Sequence, residues 1–389
     1  MAAGSPSCPR KIDVEGLRKL HRERRDMNVL VVGGTQFNGL ALVHELARTG
    51  HRVTVINRGQ TQAPLPHGVE RLYADRTQPE SLRAALSGRD WDAVYDISGY
   101  RPEDVALMIE ILAGRTGHYI FASSTVIYAA AQNLPITEGH AVERGQIQNE
   151  YGLNKLLCED LLINAWRQRR FPASIAALSM VFGPNNIVPD REQRMFIRLQ
   201  KGRKVLIPGS GSTLGQVGYV EDQARALRMM MQRPATFGKR YNLTGGDYFS
   251  DRGYVDTLAD VMGVGAQNVD RMSIPAQIMD GIYSGEIALG EVAMTVHADT
   301  RTRQDTRKQS LFQVNCIIQR LAPNIHFWDR SVLFSIERLK EDTGWRPEFT
   351  FQAAAERTWE WMLRSGRDQS LEFDFGFEDR LIAQIQRLS

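Results

Sequence analysis

The chain has 389 residues, enough for one large domain or two closely packed ones. Its 42% hydrophobic and 24% charged content is ordinary for a globular protein, and a net charge of +3 argues only weakly for a nucleic-acid binder, which concentrates basic residues on one face. Cys8, Cys158 and Cys316 are too few and too scattered for a disulfide framework or a cysteine zinc site, and no apolar run approaches the ~18 residues of a membrane span.

Residues 1–26 are rich in charge and have no apolar signal core, so they read as a polar extension of a cytoplasmic protein. From Met27 the texture changes. "MNVLVV" is a continuous apolar run, as in a strand buried on both faces, and "LALVHELART" follows with helical spacing up to the stop at Gly50. "HRVTVIN" and "RLYA" are the next strands, and "PESLRAAL" opens a helix with Pro79 in its first turn. "DAVYDIS" and "HYIFASS" are strands on either side of the helical "PEDVALMIEILAG", and "SIAALSMVFG" follows a helix that holds Tyr151. Strands alternating with helices of this length predict an α/β fold, a parallel sheet covered on both faces.

Beyond Gly183 the alternation breaks down. "REQRMFIRLQKGRKVLIPGSGS" reads as helix, short strand and Gly-rich turn, and "VEDQARALRMMM" and "DRGYVDTLADVMG" read as helices. Residues 299–309 are polar throughout and read as an exposed loop, before two closing helices in "SIERLKEDTGWRP" and "FQAAAERTWEWML". The expected partition is a nucleotide-binding domain at 27–183 with segments near 215–250 returning to it. Residues 184–214 and 251–365 form a smaller mixed substrate-binding part, and 366–389 a C-terminal tail or helix.

"VLVVGGTQFNGL" places Gly33, Gly34 and Gly39 between a strand and a helix. A tight turn, close packing of helix on sheet, and exposed N–H groups for a dinucleotide pyrophosphate all ask for glycine there. In G-x-x-G-x-x-G spacing the middle position is Gln36, so the backbone approaches the pyrophosphate past a side chain or Gln36 itself bonds to it. The candidate cofactor residues in this loop are Gly33, Gly34, Thr35, Gln36, Phe37, Asn38 and Gly39, with Ser98 after a later strand. The second strand ends in Asn57 and Arg58. Neither is the acid that holds the ribose of NAD, and Arg58 suits the 2′-phosphate of NADP, so the expectation leans from NAD to NADP; a solvated Arg58 at a strand end is the plain alternative. Asp75 stands where a carboxylate could reach an adenine amino group, and a turn-forming Asp is as ordinary there.

"NEYGLNK" puts Tyr151 and Lys155 one helical turn apart on one face. A phenol with a pKa near 10 is rarely ionised at neutral pH. A lysine cation and a nicotinamide's positive ring both favour the ionised form, so Tyr151 could take a proton from a carbinol while hydride leaves, or return it. Ser124, at the end of "HYIFASS", could bond the same oxygen.

Together "GGTQFNG", "DAVYDISGY", "ASSTVIY", "YGLNK", "MVFGP", "YVEDQARAL" and "SIERLKEDTGWRP" resemble the extended short-chain dehydrogenase/reductase family, within it the NAD(P)-dependent nucleotide-sugar epimerases, dehydratases and reductases, across nearly all of residues 27–362. The resemblance implies a Rossmann-type doubly wound parallel sheet with a smaller C-terminal substrate domain, and a homodimer. It also implies a catalytic set of Ser124, Tyr151 and Lys155, with Lys155 also bonding the nicotinamide ribose. The family's 4,6-dehydratases follow the hydroxyl residue with Asp and Glu; here Thr125 and Val126 follow Ser124, which disfavours dehydration and leaves epimerisation or carbonyl reduction.

Asn185, Arg191 and Arg194, with Thr125, are candidate substrate contacts, and Arg198 belongs with the arginines. Turn formation for Asn185 and Asn186, and a solvated helix face for the arginines, are the ordinary roles of such residues. No histidine pair has metal-ligand spacing, so no metal is expected, and Trp328, Trp345, Trp359 and Trp361 read as packing residues. "KVLIPGSGSTLGQVGYVEDQA" and "GGTQFNG" also resemble the branch containing chloroplast stem-loop RNA-binding proteins, which implies RNA as an alternative partner; no aromatic-and-basic cluster supports it here.

Overall fold

A computed structural model describes residues 26–188, 190–284, 286–287 and 329–388. The polar extension up to residue 25, the loop expected at 299–309, Trp328, Cys8 and Cys316 lie outside the described residues.

The first half alternates strand and helix: β1 (Asn28–Val32), α1 (Phe37–Arg48), β2 (Arg52–Asn57), β3 (Glu70–Tyr73), α2 (Pro79–Leu86), β4 (Ala93–Asp96), α3 (Pro102–Leu112), β5 (Tyr119–Ser124), α4 (Glu150–Arg169), β6 (Ala173–Leu178). Then come β7 (Val181–Phe182), α5 (Glu192–Gln200), β8 (Val205–Pro208), β9 (Leu214–Gly215), β10 (Gly218–Tyr219), α6 (Val220–Met230), β11 (Arg240–Leu243), β12 (Phe249–Ser250), α7 (Asp251–Val261), β13 (Arg271–Ile274) and α8 (Ala276–Ser284). The chain closes with α9 (Glu337–Thr343), α10 (Phe351–Arg364), α11 (Arg367–Ser370) and α12 (Gly376–Leu388).

Seven strands form one parallel sheet in the order β11-β6-β5-β4-β1-β2-β3. The apolar run of β1 divides by alternation. Val29 and Val31 enter the core shared with α1 and α6, while Leu30 and Val32 enter the core under α2, α3 and α4. A strand buried on both faces has no polar side to show, which is why its sequence lacks alternation. Pro79 and Pro102 stand at the first helical positions of α2 and α3, where a missing N–H costs nothing.

The chain lays down β1, β2 and β3 in one direction and returns to place β4 on the other side of β1. That reversal opens a crevice beyond the carboxyl ends of β1 and β4. After β6 the regular alternation stops. Short strand pairs β7–β10, β9–β12 and β8–β13 replace it, and Leu206, Ile274, Ile278, Phe377 and Leu381 share a separate apolar cluster. Trp345 is fully buried and Trp359 stacks on Phe196, so both pack; Trp361 carries Arg367 over its ring. Among the described residues no helix is long and apolar enough to cross a membrane.

Candidate active site

The loop after β1 is built by close approach. Gly33 takes φ +92° and its N–H donates to the Ile56 carbonyl. A Cβ on Gly33 would stand 2.8 Å from Ser98 Cβ, and one on Gly39 only 2.0 Å from the Gly33 carbonyl oxygen. Phe37, the first residue of α1, is buried and holds φ +35°, a conformation most side chains avoid. Gln36 caps α1 without a side-chain hydrogen bond, and the first turn carries no acid. The free N–H groups and positive end of the helix therefore face the crevice, an arrangement suited to an anionic diphosphate. Gln36 is exposed, Thr35 buried, and Asn38 keeps a buried Oδ1 with no partner.

Across the crevice Ser98 donates its N–H to Asp96 Oδ1 (3.2 Å), and its hydroxyl accepts from Arg76 Nη1 (3.1 Å). Arg76 grips Asp96 through two bonds of 2.9 Å, and Tyr119 donates its hydroxyl to Asp96 Oδ2 (2.6 Å). Burial works to raise the pKa of Asp96, but the Arg76 guanidinium outweighs it and keeps the carboxylate below its usual range. Neither Arg76 nor Asp96 stands out in the sequence. Their signal was position alone: each ends or follows a strand on the crevice side.

At the other end of the crevice Ser124 closes β5. Its Oγ accepts from Val126 N (3.4 Å) and starts a 3₁₀ turn over Thr125–Ile127, in which Thr125 is buried. Asn149 caps α4 by accepting from Gly152 N (2.7 Å), and Gln148 Nε2 donates to the Val126 carbonyl (3.1 Å). The turn that carries Ser124 is thus tied to the start of the helix that carries Tyr151. One turn on, Lys155 is buried and donates to the carbonyls of Gly99 and Ala122, both at 2.7 Å. Its ammonium lies 4.8 Å from the ring centroids of Tyr100 and Phe121 and 5.7 Å from that of Tyr151. Tyr100, whose ring is 6.2 Å from that of Tyr151, is a neighbour the motif reading passed over.

Burial brings the Lys155 pKa down to about 8. The Tyr151 phenol is pushed above its usual range, first by burial and then by Tyr100, while Ser124, as a hydrogen-bonding neighbour, and Arg191 pull the other way. Burial outweighs these two pulls.

The remaining candidates scatter. Asn57 ends β2 and its Oδ1 accepts from Gly59 N and from Arg71; Arg58 beside it is exposed. Asp75 Oδ1 accepts from the backbone and hydroxyl of Thr77, a turn of its own. Asn185 is exposed at φ +63°, whereas Asn186 is buried and donates to both oxygens of Glu192. Arg191 stands just before α5 and is close enough to act on Tyr151. Arg194 is buried and bonded to Glu378 at 2.8–3.0 Å on α12, and Arg198 reaches the same carboxylate.

Residues 29–244 match the NAD dependent epimerase/dehydratase family. The chain is 25% identical over 391 residues to the chloroplast stem-loop binding protein of 41 kDa b from Arabidopsis thaliana, covering 94% of this chain and 86% of that one. A 160-residue stretch is 30% identical to 2'-dehydrokanamycin reductase from Streptomyces kanamyceticus, over 41% of this chain and 44% of the reductase. Among solved structures, an epimerase from Methanothermobacter thermautotrophicus aligns with a TM-score of 0.65 and 20% identity, over 91% of this chain and 98% of its own. UDP-glucose 4-epimerase from Thermotoga maritima gives 0.63 and 17%, over 87% and 99%. At these identities the structures speak for the fold. The family match spans more than half of the 389 residues, and with the seven-stranded sheet and its glycine loop it means that the chain belongs to the NAD dependent epimerase/dehydratase family.

Proposed function

We propose that the protein is an NAD(P)-dependent oxidoreductase that takes hydride from a sugar carbinol and returns it, in the manner of a nucleotide-sugar epimerase. The observation that carries this is the grouping of Ser124, Tyr151 and Lys155: Ser124 is a hydrogen-bonding neighbour of the Tyr151 phenol, the Lys155 ammonium lies near the Tyr151 ring, and Lys155 bonds the carbonyl of Gly99, the residue after the Ser98 that stands against Gly33. The residues fit the cofactor. The uncapped start of α1 suits its pyrophosphate, the strand end at Asn57 and Arg58 its adenosine ribose, and Lys155 its second ribose. Bound there, the nicotinamide supplies the acceptor and donor of hydride.

Tyr151 moves the proton. In the oxidative direction its ionised oxygen takes the proton of the carbinol hydroxyl while the hydrogen on carbon leaves as hydride; in the reductive direction the protonated phenol, which burial favours, gives the proton back. Ser124 donates to the same substrate oxygen and fixes its position. After two bonds to carbonyls, the Lys155 ammonium has one N–H left for a ribose hydroxyl. The buried Thr125 that follows Ser124 offers no acid or base for eliminating water, so the keto sugar would turn over and be reduced on its other face. Incubation with UDP- and dTDP-sugars, followed by NMR of the product, tests the reading; an unchanged sugar with every nucleotide and cofactor tried would defeat it.

A second reading is net reduction of a sugar or natural-product carbonyl by NADPH. It is favoured by Arg58 in place of an acid at the end of β2 and by the likeness to a reductase. Stoichiometric loss of NADPH absorbance separates it from epimerisation, which recycles its cofactor. The Arabidopsis relative raises RNA binding as well. Filter binding across a salt series tests that separately, and the expected result is no steeply salt-dependent affinity.

A further inference from the structure

Residues 97–101 join β4 to α3, and one side chain holds both ends of that loop. Arg76, which follows β3, grips Asp96 at the end of β4 through two bonds of 2.9 Å and donates to the Ser98 hydroxyl at 3.1 Å. Its Nε stands 3.5 Å from Asp104 Oδ1 in the first turn of α3. Asp104 accepts from the N–H groups of Tyr100 (3.3 Å) and Arg101 (3.2 Å), and Asp96 from that of Ser98 (3.2 Å). The backbone donors of the loop thus end on two carboxylates that share one guanidinium.

The middle of the loop is the seat of Lys155. The Gly99 carbonyl accepts from the ammonium at 2.7 Å, and the Tyr100 ring centroid lies 4.8 Å from it. A Cβ on Gly99 would stand 3.0 Å from Asp96 Oδ2 and 2.9 Å from Phe121 Cε2. The carboxylate that Arg76 fixes is therefore packed against the residue that takes the lysine. Asp96 is fully buried and also accepts from the Tyr119 hydroxyl (2.6 Å). A buried carboxylate bonded from so many sides is rigid, and the loop takes its position from it.

We propose that the Arg76–Asp96 ion pair is a positioning element for Lys155: it sets residues 97–101 so that the Gly99 carbonyl meets the ammonium. The inference rests on the dinucleotide reading above, in which Lys155 bonds the nicotinamide ribose. The pair has an electrical consequence as well. Burial brings the Lys155 pKa down to about 8, while Cys158, Asp96 and Glu159 favour the ammonium and Arg76 opposes it. Cys158 is a thiol whose own pKa burial pushes up to about 12, and Glu159 is already bonded to Ser123 and Arg240. Tyr100 and Tyr151 face the ammonium with their rings. Asp96 is thus the anion that the loop brings to Lys155, and its loss moves the lysine's titration to lower pH.

The test is a fluorescence titration of the full-length protein with NADH and with NADPH from pH 6 to pH 10, read as the affinity for whichever binds more tightly. Wild-type affinity should hold up to about pH 8 and then fall about tenfold, as Lys155 loses its proton and with it one charge-assisted bond. Asp96→Asn keeps the shape of the side chain, removes its charge, and should move that fall about one pH unit lower. Gly99→Ala leaves both charges in place but displaces the carbonyl, and should move the fall in the same direction; it carries the test if the asparagine variant does not fold. Glu378→Gln disturbs a buried ion pair that makes no bond to this loop among the described residues, and should leave the fall near pH 8. A wild-type affinity flat from pH 6 to pH 10, a fall unmoved in Asp96→Asn or Gly99→Ala, or one moved as far in Glu378→Gln would each overturn the inference while leaving the cofactor site standing. Binding of neither dinucleotide by wild type would overturn both.

Discussion

Lys155 and Arg194 are both cations, both 2% exposed, and both lie against aromatic rings, yet the molecule treats them in opposite ways. Lys155 faces two backbone carbonyls and three rings, with no carboxylate at salt-bridge distance among the described residues. Burial is therefore only partly offset, and its pKa falls to about 8. Arg194 meets Glu378, itself fully buried, at 2.8 Å, with Asp190 at 3.3 Å and the Asp374 carbonyl at 2.5 Å. Arg198 shares Glu378 at 2.8 Å. A charge held by neutral acceptors keeps a free donor and can titrate. A charge neutralised by a carboxylate becomes scaffold, here the clamp that fastens α12 to α5.

The sharpest way to break this contrast is at the reacting end. Tyr151→Phe removes one oxygen, and turnover should fall by about 10³-fold with little change in substrate KM. Lys155→Met should cost about 10²-fold in turnover and also weaken cofactor binding, since it removes both a cation and a ribose donor. Persistence of wild-type rates in the first variant would remove the Tyr151 phenol from the chemistry, and in the second would mean that the buried cation is scaffold after all.

The clamp answers to a different measurement. Glu378→Gln leaves two guanidiniums buried without their carboxylate, and denaturant unfolding should show a loss of about 3 kcal/mol. The folded variant should turn over within about twofold of wild type. Lost activity at unchanged stability would instead move Arg194 into the substrate site.

The same contrast explains what could be read from the chain. The glycine loop lies within residues 33–39 and the Tyr-Lys pair within one turn of α4, so each is complete in a single element and its spacing survives folding. Arg191, Arg194 and Arg198 looked alike at helical spacing. The structure separates them, because the partner of Arg194 and Arg198 comes 184 and 180 residues later and no local pattern announces it. Asn185 and Asn186 differ for a similar reason: one caps nothing and faces water, the other is bonded to Glu192 inside. Arg71 was hidden in "RLYA", a run that reads as a plain strand until β2 and β3 are set side by side. The short strand pairs of the second half went unseen because two-residue strands carry no periodicity.

Asp251 supplies a third case, a buried carboxyl group without a hydrogen-bond partner among the described residues. It opens α7, is 1% exposed, and neither carboxylate oxygen has a hydrogen-bond partner among the described residues. Burial raises its pKa to about 7. An unfolded aspartate titrates near 4, so between pH 4 and 7 the folded chain holds a proton that the unfolded chain has released. Stability from this group is complete below pH 4 and is lost as pH climbs to 7, the reverse of a salt-bridged carboxylate. Asp251→Asn keeps the shape and cannot ionise. Its unfolding free energy, measured relative to wild type, should gain about 2 kcal/mol between pH 5 and pH 7, since each unit of pH in that window is worth at most about 1.4 kcal/mol. A flat difference would show that Asp251 ionises as freely in the fold as outside it, and a narrowing one would show that, like Arg194, it has found a partner of opposite charge.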